Sequence, residues 1–183
     1  LGVDLLSIAG HKLYAPKGVG ALYIRRGVRI APVVVGAGQE HGIRPGTENV
    51  AGIVGLGAAA ELAARLLTAE HARQTALRER LWASLAAAVP GLVRISPASD
   101  SLPNTLMVAV PNRLGADILD AIDGVAASTG SACHSGVHSP SATLIAMGVP
   151  ADIALGALRL SLGRSTTADD VDIAAAALGR AAT

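Results

Sequence analysis

The sequence predicts an α/β or α+β fold, because short apolar segments alternate along the chain with segments of helical periodicity. Of the 183 residues, 51% are hydrophobic, which is enough to form a core. With no Phe, one Trp and two Tyr, that core must be aliphatic. Residues 50–89 have apolar positions at helical spacing and end at Pro90-Gly91, so a long helix separates two regions that contain the strand candidates.

The region before the long helix contains two strand candidates, residues 3–8 and 19–24, each bounded by turn residues. The loop between them holds both lysines of the chain, Lys12 and Lys17. Residues 27–49 are rich in glycine and proline, which is typical of an ordered loop. We therefore expect a strand–loop–strand unit and then an irregular connection to the helix.

The region after the long helix alternates strands with helices. Strands are predicted at residues 92–95, 105–110, 125–128 and 158–162. Helices are predicted at residues 115–122, 141–147, 151–156 and 169–182. Thr167 precedes the last helix and acidic residues occupy its first turn, which is the pattern of a capped helix start.

Composition and charge exclude several classes of function. A formal net charge of +1 gives no sign of binding to nucleic acid or to an acidic membrane. Cys133 is the single cysteine, which excludes an intrachain disulfide and favours a reducing, cytoplasmic location. Arg and Glu interrupt the alanine-rich runs, so no membrane span is predicted. The apolar N-terminus has neither a basic segment nor a Met, so we expect a piece of a longer protein rather than a signal peptide.

Lys12 is the first candidate for chemistry. A lysine amine can form a Schiff base, whereas an arginine cannot do so usefully. This role requires partial desolvation, so that enough of the amine is neutral. Lys12 follows an apolar strand and precedes a Pro/Gly turn, so a strand end would fix its position. The alternative is a solvated loop lysine.

The segment GQEHGIRPGTENV, residues 38–50, is the second candidate. Gly46 and Thr47 offer a backbone amide and a hydroxyl just before the long helix, where an anion such as phosphate is favoured. The alternative is an ordinary N-cap by Thr47 or Asn49. Arg44 adds a charge that a cap alone would not need.

The segment STGSACHSGVHSPS, residues 128–141, places Cys133 in a loop rich in glycine and serine. An exposed cysteine near a histidine is a candidate nucleophile. A metal site formed with His134 and His138 is an alternative, but adjacent Cys-His ligands diverge and no fourth ligand is near, so no metal is predicted. The remaining alternative is a surface cysteine without a role.

The segment ALRLSLGRSTT, residues 157–167, places Arg159 within an apolar strand. A buried arginine is costly unless it is paired, and a carboxylate bound through two hydrogen bonds would provide the partner. That carboxylate belongs either to a substrate or to one of the chain's own acidic residues. Arg164 is predicted to be a strand-end or loop residue.

In this order, the segments resemble those of the cysteine desulfurase and selenocysteine lyase family of pyridoxal 5'-phosphate (PLP) enzymes. The family's Schiff-base lysine segment is similar to SIAGHKLYAPKGVGALYIRR. Its GGQE…RPGTEN, SxGSAC and C-terminal arginine motifs are similar to GAGQEHGIRPGTENV, STGSACHSG and ALRLSLGRSTT. The resemblance runs from residue 1 to about residue 174.

The resemblance implies an α/β fold that forms the C-terminal part of a fold-type I PLP-dependent transferase. Residues 1–52 would be the end of the large PLP-binding domain, and residues 53–90 a long connecting helix. Residues 91–183 would form the small C-terminal α+β domain.

The resemblance also implies roles for individual residues. Lys12 corresponds to the lysine that holds PLP as a Schiff base, and His11 to a histidine at the cofactor phosphate. Thr47 corresponds to a threonine that reaches the phosphate of the partner subunit, which implies a homodimer. Cys133 corresponds to the cysteine that takes the substrate sulfur as a persulfide, and Arg159 to the arginine that binds the substrate carboxylate.

The chain departs from the family's pattern at two positions and in length. Ala9 stands where many relatives have a serine that binds the phosphate, and Ala15 stands where a glycine is usual. The family's N-terminal half, with the aspartate that pairs with the pyridine nitrogen and the histidine that stacks on the ring, has no counterpart in this sequence. The resemblance therefore implies that these 183 residues are inactive, or nearly so, by themselves.

The implied function is removal of sulfur from L-cysteine to give L-alanine and an enzyme persulfide. The persulfide would supply a sulfur acceptor, such as an iron–sulfur scaffold protein or a thio-cofactor pathway. One alternative is a selenocysteine lyase that acts on L-selenocysteine, because its motifs are similar. Another is a non-catalytic module that relays persulfide sulfur or binds a partner without PLP.

Overall fold

The structure, a computed structural model, describes residues 1–129 and 139–183 of the chain. The chain divides into two compact units, Leu1–Leu67 and Thr68–Thr183. Helix α1, Val50–Ala88, confirms the predicted long helix and runs through the boundary between the units. The finer domain limits that the resemblance implies stay a prediction.

The first unit begins with an antiparallel ribbon of two strands. These are β1 (Leu5–Ala9) and β2 (Gly20–Ile24), paired in register over their full length. A 3₁₀ turn, Gly10–Leu13, follows β1, and a second, Glu40–Gly42, lies in the loop before α1. Both predicted strands are thus confirmed, with bounds shifted by one or two residues.

Both faces of this ribbon carry exposed apolar side chains. Successive residues of a strand point to opposite faces, and Leu5 and Leu6 are 45% and 37% exposed. On β2, the adjacent residues Leu22 and Tyr23 are 48% and 49% exposed. Strands that are apolar on both sides are typical of a larger sheet whose two faces are covered.

The second unit is built on a three-stranded antiparallel sheet with the strand order β3–β4–β5. The strands are β3 (Val93–Arg94), β4 (Thr105–Ala109) and β5 (Ala157–Ser161). They confirm three of the predicted strands. The predicted strand at residues 125–128 is wrong, because among the described residues of that segment only Ser128 pairs, in an isolated bridge with Arg159.

Four further helices confirm the predictions for the second unit. They are α2 (Gly115–Asp120), α3 (Ala142–Ala146), α4 (Ala151–Leu155) and α5 (Ala168–Ala182). The predicted cap of α5 is also confirmed, as a capping box. The Asp170 N–H donates to Thr167 Oγ1 at 3.1 Å, and the Thr167 N–H donates to the Asp170 carboxylate at 2.8 Å.

Strand alternation divides the apolar residues of the sheet between two cores. The main core packs α1 and α5 against one face, and its buried members include Leu81, Leu85, Leu106, Val108, Leu158, Leu160, Val171 and Leu178. A smaller cluster on the other face joins Leu144 of α3, Ala154 of α4 and Ala157 of β5. The start of β5 is therefore covered on both faces.

Helix α1 is long and apolar enough to cross a membrane, by length and composition alone. The sequence predicts no membrane span, because charged residues interrupt the alanine-rich runs. A helix that lies in the core of a globular protein meets the same criterion, because it is apolar on all sides. The property therefore does not by itself assign α1 to a membrane.

Candidate functional site

Lys12 lies in a closed turn at the end of β1. The 3₁₀ turn Gly10–Leu13 carries it directly after the strand. The Gly10 N–H donates to the Val19 carbonyl at 3.0 Å, and the Ala15 N–H donates to the Gly10 carbonyl at 3.1 Å. The backbone that carries Lys12 is held on both sides, which confirms the predicted position at a strand end.

The turn is packed too tightly for a side chain at Gly10. A Cβ atom there would lie 2.7 Å from the Val19 carbonyl oxygen and 3.3 Å from the Ala15 Cβ. Ala15 is itself buried. The alanine that replaces the family's usual glycine therefore fills space beside Gly10 without opening the turn.

His11 and Lys12 are both exposed to solvent. Schiff-base chemistry requires partial desolvation of the amine. The turn by itself does not provide it, because the neighbouring side chains Tyr14 and Pro16 are exposed as well. The Lys12 amine is accessible to a carbonyl compound, and its desolvation needs a group that covers the turn.

The loop before α1 is held together by its own side chains. The Gly46 N–H, at a residue with a φ of +93°, donates to Gln39 Oε1 at 3.1 Å. Arg44 Nη1 donates to the Gly46 carbonyl at 2.9 Å and to the Thr47 carbonyl at 3.0 Å. These bonds explain the presence of Arg44, because they fix the loop backbone next to Thr47.

The N-cap of α1 is Asn49 and not Thr47. Asn49 Oδ1 accepts a hydrogen bond from the Gly52 N–H at 3.1 Å, as an N-cap does. The Gly46 amide donates to Gln39, so an anion at this helix start would compete with Gln39 Oε1 for it. Thr47 stays exposed two residues before the cap, so its hydroxyl is accessible to a ligand.

Arg159 is an exposed residue on the face of β5 opposite the main core. Its neighbours Leu158 and Leu160 belong to the main core, whereas Arg159 is exposed. The expectation of a buried arginine in an apolar strand is wrong, because every second residue of a strand points to the opposite face. The Arg159 side chain therefore lies on the side of the sheet away from the main core.

The backbone of Arg159 is held from both edges of β5. Its N–H donates to the Ser128 carbonyl at 2.6 Å, and its carbonyl accepts from the Ser128 N–H at 3.3 Å. On the other edge, Arg159 lies opposite Met107 of β4. Because both neighbours pair with this position, the sheet holds the Arg159 backbone and determines the face on which its side chain lies.

Cys133 lies outside the described residues, together with His134 and His138. The nucleophile and the alternative metal site at these positions stay predictions. Within residues 1–129 and 139–183, no group of three or more His, Cys, Asp or Glu side chains is placed to hold a metal ion.

The predicted site residues are divided between the two units. His11, Lys12 and Thr47 belong to the first unit, and Arg159 belongs to the second. Sequence reasoning missed Gln39, whose side chain satisfies the Gly46 amide. A polar side chain within a glycine-rich loop is the signal that could have identified it, because loop amides need acceptors.

A comparison with known protein families identifies the class of protein to which the chain belongs. A model of the aminotransferase class-V family matches residues 1–173. The chain therefore belongs to the class-V aminotransferase family, and the resemblance noted in its sequence motifs is confirmed.

Individual relatives narrow the class further. The chain is 49% identical to a cysteine desulfurase of Gluconacetobacter diazotrophicus over 172 residues, which cover 93% of the chain and 43% of that protein. A solved structure of a NifS-like protein matches with a TM-score of 0.86 and 38% identity, over 98% of this chain and 46% of that one. A structure of SspA in complex with cysteine matches with a TM-score of 0.62 and 31% identity, over 87% of this chain and 44% of that one.

These matches confirm the predicted α/β fold as part of a NifS-like PLP enzyme. They also show that the chain spans less than half of the length of each of these relatives.

Proposed function

We propose that this chain supplies the lysine, the thiol and the carboxylate-binding arginine of a PLP-dependent cysteine desulfurase. The observation that carries the proposal is the 49% identity to the Gluconacetobacter cysteine desulfurase over 93% of the chain. The reaction removes sulfur from L-cysteine and leaves L-alanine and a persulfide on Cys133. The similarity to a protein solved in complex with cysteine supports this choice of substrate.

The donor groups of the first unit fit PLP. Lys12 offers a primary amine on a closed, exposed turn, which suits covalent attachment to an aldehyde. His11 and Thr47 are exposed and offer an imidazole and a hydroxyl for the cofactor phosphate. When bound, PLP supplies an electron sink that weakens bonds at the α-carbon of the substrate.

Arg159 is assigned to substrate orientation. Its guanidinium can bind the substrate carboxylate through two parallel hydrogen bonds. Because the sheet holds the Arg159 backbone, a carboxylate bound by this side chain orients the Cα–H bond of the substrate for removal. Lys12 Nζ, once its amine is released, accepts the proton from that carbon.

Sulfur transfer is assigned to Cys133. Its thiolate attacks the sulfur of the substrate, so a sulfur–sulfur bond forms while the carbon–sulfur bond breaks. The electron pair of the broken bond stays with the carbon fragment, which takes up a proton and leaves as L-alanine. The persulfide sulfur then passes to an acceptor protein that builds iron–sulfur clusters or thio-cofactors.

We also propose a cytoplasmic homodimer in which Thr47 reaches the cofactor phosphate of the second subunit. The exposure of Thr47 on an internally bonded loop supports this role, because a rigid loop can present a hydroxyl across an interface. Sedimentation of the PLP-loaded protein tests the dimer, and a monomer that holds PLP with full occupancy would contradict it.

Turnover is expected to need more than these 183 residues. The chain covers 43% of the Gluconacetobacter enzyme, and the turn that carries Lys12 is exposed. With added PLP, the chain alone should release no sulfide from L-cysteine above the rate of free PLP. Sulfide release that depends on the chain and is abolished by Lys12→Ala would refute this expectation.

The function is tested in a chimera in which the chain replaces the matching part of the Gluconacetobacter cysteine desulfurase. We expect a yellow protein that borohydride bleaches, with the label on Lys12, and that forms L-alanine from L-cysteine. Lys12→Ala should lose both colour and activity. Lys17→Ala changes the other lysine of the same loop and serves as the matched control, which should keep both.

The same chimera separates the alternative functions. A colourless chimera in the presence of PLP would favour a non-catalytic sulfur-relay module. Turnover of L-selenocysteine without turnover of L-cysteine would replace the desulfurase by a selenocysteine lyase. Cys133→Ala should abolish turnover of L-cysteine, and retained activity with L-cysteine would remove Cys133 from the mechanism.

A further inference from the structure

Arg73 of α1 binds three backbone carbonyls of the segment that joins β5 to α5. Its Nη1 donates to the Thr166 carbonyl at 2.7 Å. Its Nη2 donates to the Gly163 carbonyl at 3.0 Å and to the Arg164 carbonyl at 3.1 Å. One guanidinium therefore holds residues 163–166, and it does so from a position 90 to 93 residues earlier in the sequence.

Arg73 is itself held by Glu70, one helical turn earlier. Arg73 Nε donates to Glu70 Oε1 and Arg73 Nη2 to Glu70 Oε2, each at 2.9 Å. Gln74 Nε2 adds a bond to Glu70 Oε2 at 2.9 Å. The hydrogen bonds from Arg73 lower the pKa of Glu70, so the carboxylate stays ionised and fixes the orientation of the guanidinium.

The clamped segment has its own internal bonds. The Gly163 N–H donates to Thr166 Oγ1 at 2.9 Å, and the Thr166 N–H donates to the Gly163 carbonyl at 3.2 Å. On the strand side, the Leu162 N–H donates to the Asn104 carbonyl at 2.8 Å. The end of β5 therefore meets a turn of fixed shape that Arg73 ties to α1.

Arg159 lies four residues before this turn on the same strand. We propose that Arg73 is a positioning residue for Arg159: by clamping residues 163–166, it sets the end of β5 and thereby the direction in which the Arg159 side chain leaves the sheet. The proposal rests on the proposed function of Arg159 in binding the substrate carboxylate. It also assigns a role to the second half of the ALRLSLGRSTT segment, whose backbone carbonyls accept hydrogen bonds from Arg73.

Helix docking alone does not explain the contacts of Arg73. Arg80, two turns further along α1, binds Asp172 of α5 through two hydrogen bonds, of which the Nε bond measures 2.8 Å. This pair also ties α1 to α5, but it does not touch residues 163–166. Arg80→Ala is therefore the matched control for Arg73→Ala.

The first test measures amide hydrogen exchange in the chain itself. Arg73→Ala should speed exchange at Gly163, Thr166 and Arg159 by about tenfold, because bonds to a charged group are lost. Arg80→Ala should leave these three amides within about twofold of the unsubstituted chain. Faster exchange at Gly163 and Thr166 with no change at Arg159 would overturn the positioning role, as would an equal effect of Arg80→Ala.

Glu70→Gln is the milder variant, because it keeps the size of the side chain and removes only its charge. It should shift the Arg159 amide in the same direction as Arg73→Ala by a smaller factor. An Arg159 amide that exchanges as in the unsubstituted chain would count against the proposal even if Arg73→Ala fails to fold.

The second test uses the chimera described above. Arg73→Ala should raise KM for L-cysteine by about tenfold and change kcat by less than about threefold, because a misplaced Arg159 weakens carboxylate binding. A fall in kcat at unchanged KM would overturn the proposal. If the unsubstituted chimera is inactive, the proposed function fails, whereas the exchange measurement still decides whether Arg73 positions Arg159.

Discussion

The two units of the chain form regular structure by different means. Among the described residues, the buried apolar side chains lie in the second unit with the exception of Ala15. The first unit exposes the apolar residues of its ribbon and of residues 33–35, where Val33 is 98% exposed. Hydrogen bonds within turns and loops order the first unit, whereas a two-sided core orders the second.

Because the buried apolar side chains lie in the second unit, we expect this unit to supply the free energy of unfolding of the chain. A two-stranded ribbon by itself is marginally stable in water. The hydrogen bonds of the turn that carries Lys12, and of the loop that contains Gln39, join residues close together in the sequence. The site residues follow the same division. Lys12 belongs to the first unit, whose apolar side chains are exposed. Arg159 lies on β5, which contacts both cores.

The variant with the largest expected effect on this comparison removes a core side chain. Leu158 is 2% exposed in the main core, so Leu158→Ala should lower the free energy of unfolding by about 3 kcal/mol. Leu22, 48% exposed on the ribbon, is the matched position, and Leu22→Ala should cost less than about 1 kcal/mol. Urea unfolding followed by circular dichroism measures both. Equal costs would show that the ribbon shares the cooperative core.

A second pair of variants adds a Cβ atom at two glycines that lie close to the backbone of another segment. A Cβ atom at Gly156 would lie 2.1 Å from the Val110 carbonyl oxygen, so Gly156→Ala should cost about 2 kcal/mol of stability. Gly10→Ala meets the Val19 carbonyl at 2.7 Å, but it should disturb only the Lys12 turn. Unfolding curves and amide exchange at Ala15 distinguish the two effects. A global loss of stability in Gly10→Ala would contradict the comparison.

Helix caps provide a third and smaller test. Thr167→Ala removes the capping box of α5, which packs on the main core, and should cost about 1 kcal/mol. Asn49→Ala removes the cap of α1 in the first unit and should fray only the first turn of that helix. Thermal unfolding measures the first effect and exchange at the Gly52 amide the second. A similar loss of thermal stability in both variants would be unexpected.

The pH dependence of stability gives an expected effect no larger than that of the α5 cap. Hydrogen bonds from Arg94, together with Arg78, lower the pKa of Glu79 from an ordinary 4.5 to about 2, against the opposing effect of burial. A carboxylate with a depressed pKa stabilises the folded state above its unfolded pKa, and this stabilisation disappears as the pH falls towards 2.

Glu79→Gln should therefore lower stability near neutral pH and flatten its decline between about pH 5 and pH 2. The effect should be about 1 kcal/mol, because the Glu79 side chain is 39% exposed and solvent screens the pair. Unfolding measured across this range checks it, with the exposed Glu61→Gln as the control. If Glu79→Gln leaves the dependence of stability on pH unchanged, the ion pair between Glu79 and Arg94 is not the cause of that dependence.

Local signals in the sequence were sufficient for most of the fold. Apolar periodicity and turn residues placed α1, the ribbon and the sheet strands within one or two residues, because these signals are local even where the strands pair over a long distance, as β4 and β5 do. The capping box at Thr167 was readable for the same reason, since both partners lie within one turn. The segment at 125–128 failed, because a single backbone pair across the sheet does not extend into a strand.

For the candidate site, the sequence by itself determined the residue types, their order and the family they indicate. The strand-end position of Lys12 followed from the adjacent apolar run and turn. The structure decided that Arg159 is exposed and that Gln39 accepts a hydrogen bond from the Gly46 amide. It also decided that Arg73 holds the end of β5. The last contact joins residues about 90 positions apart. No periodicity or spacing encodes such a contact, because it depends on how separate elements pack together.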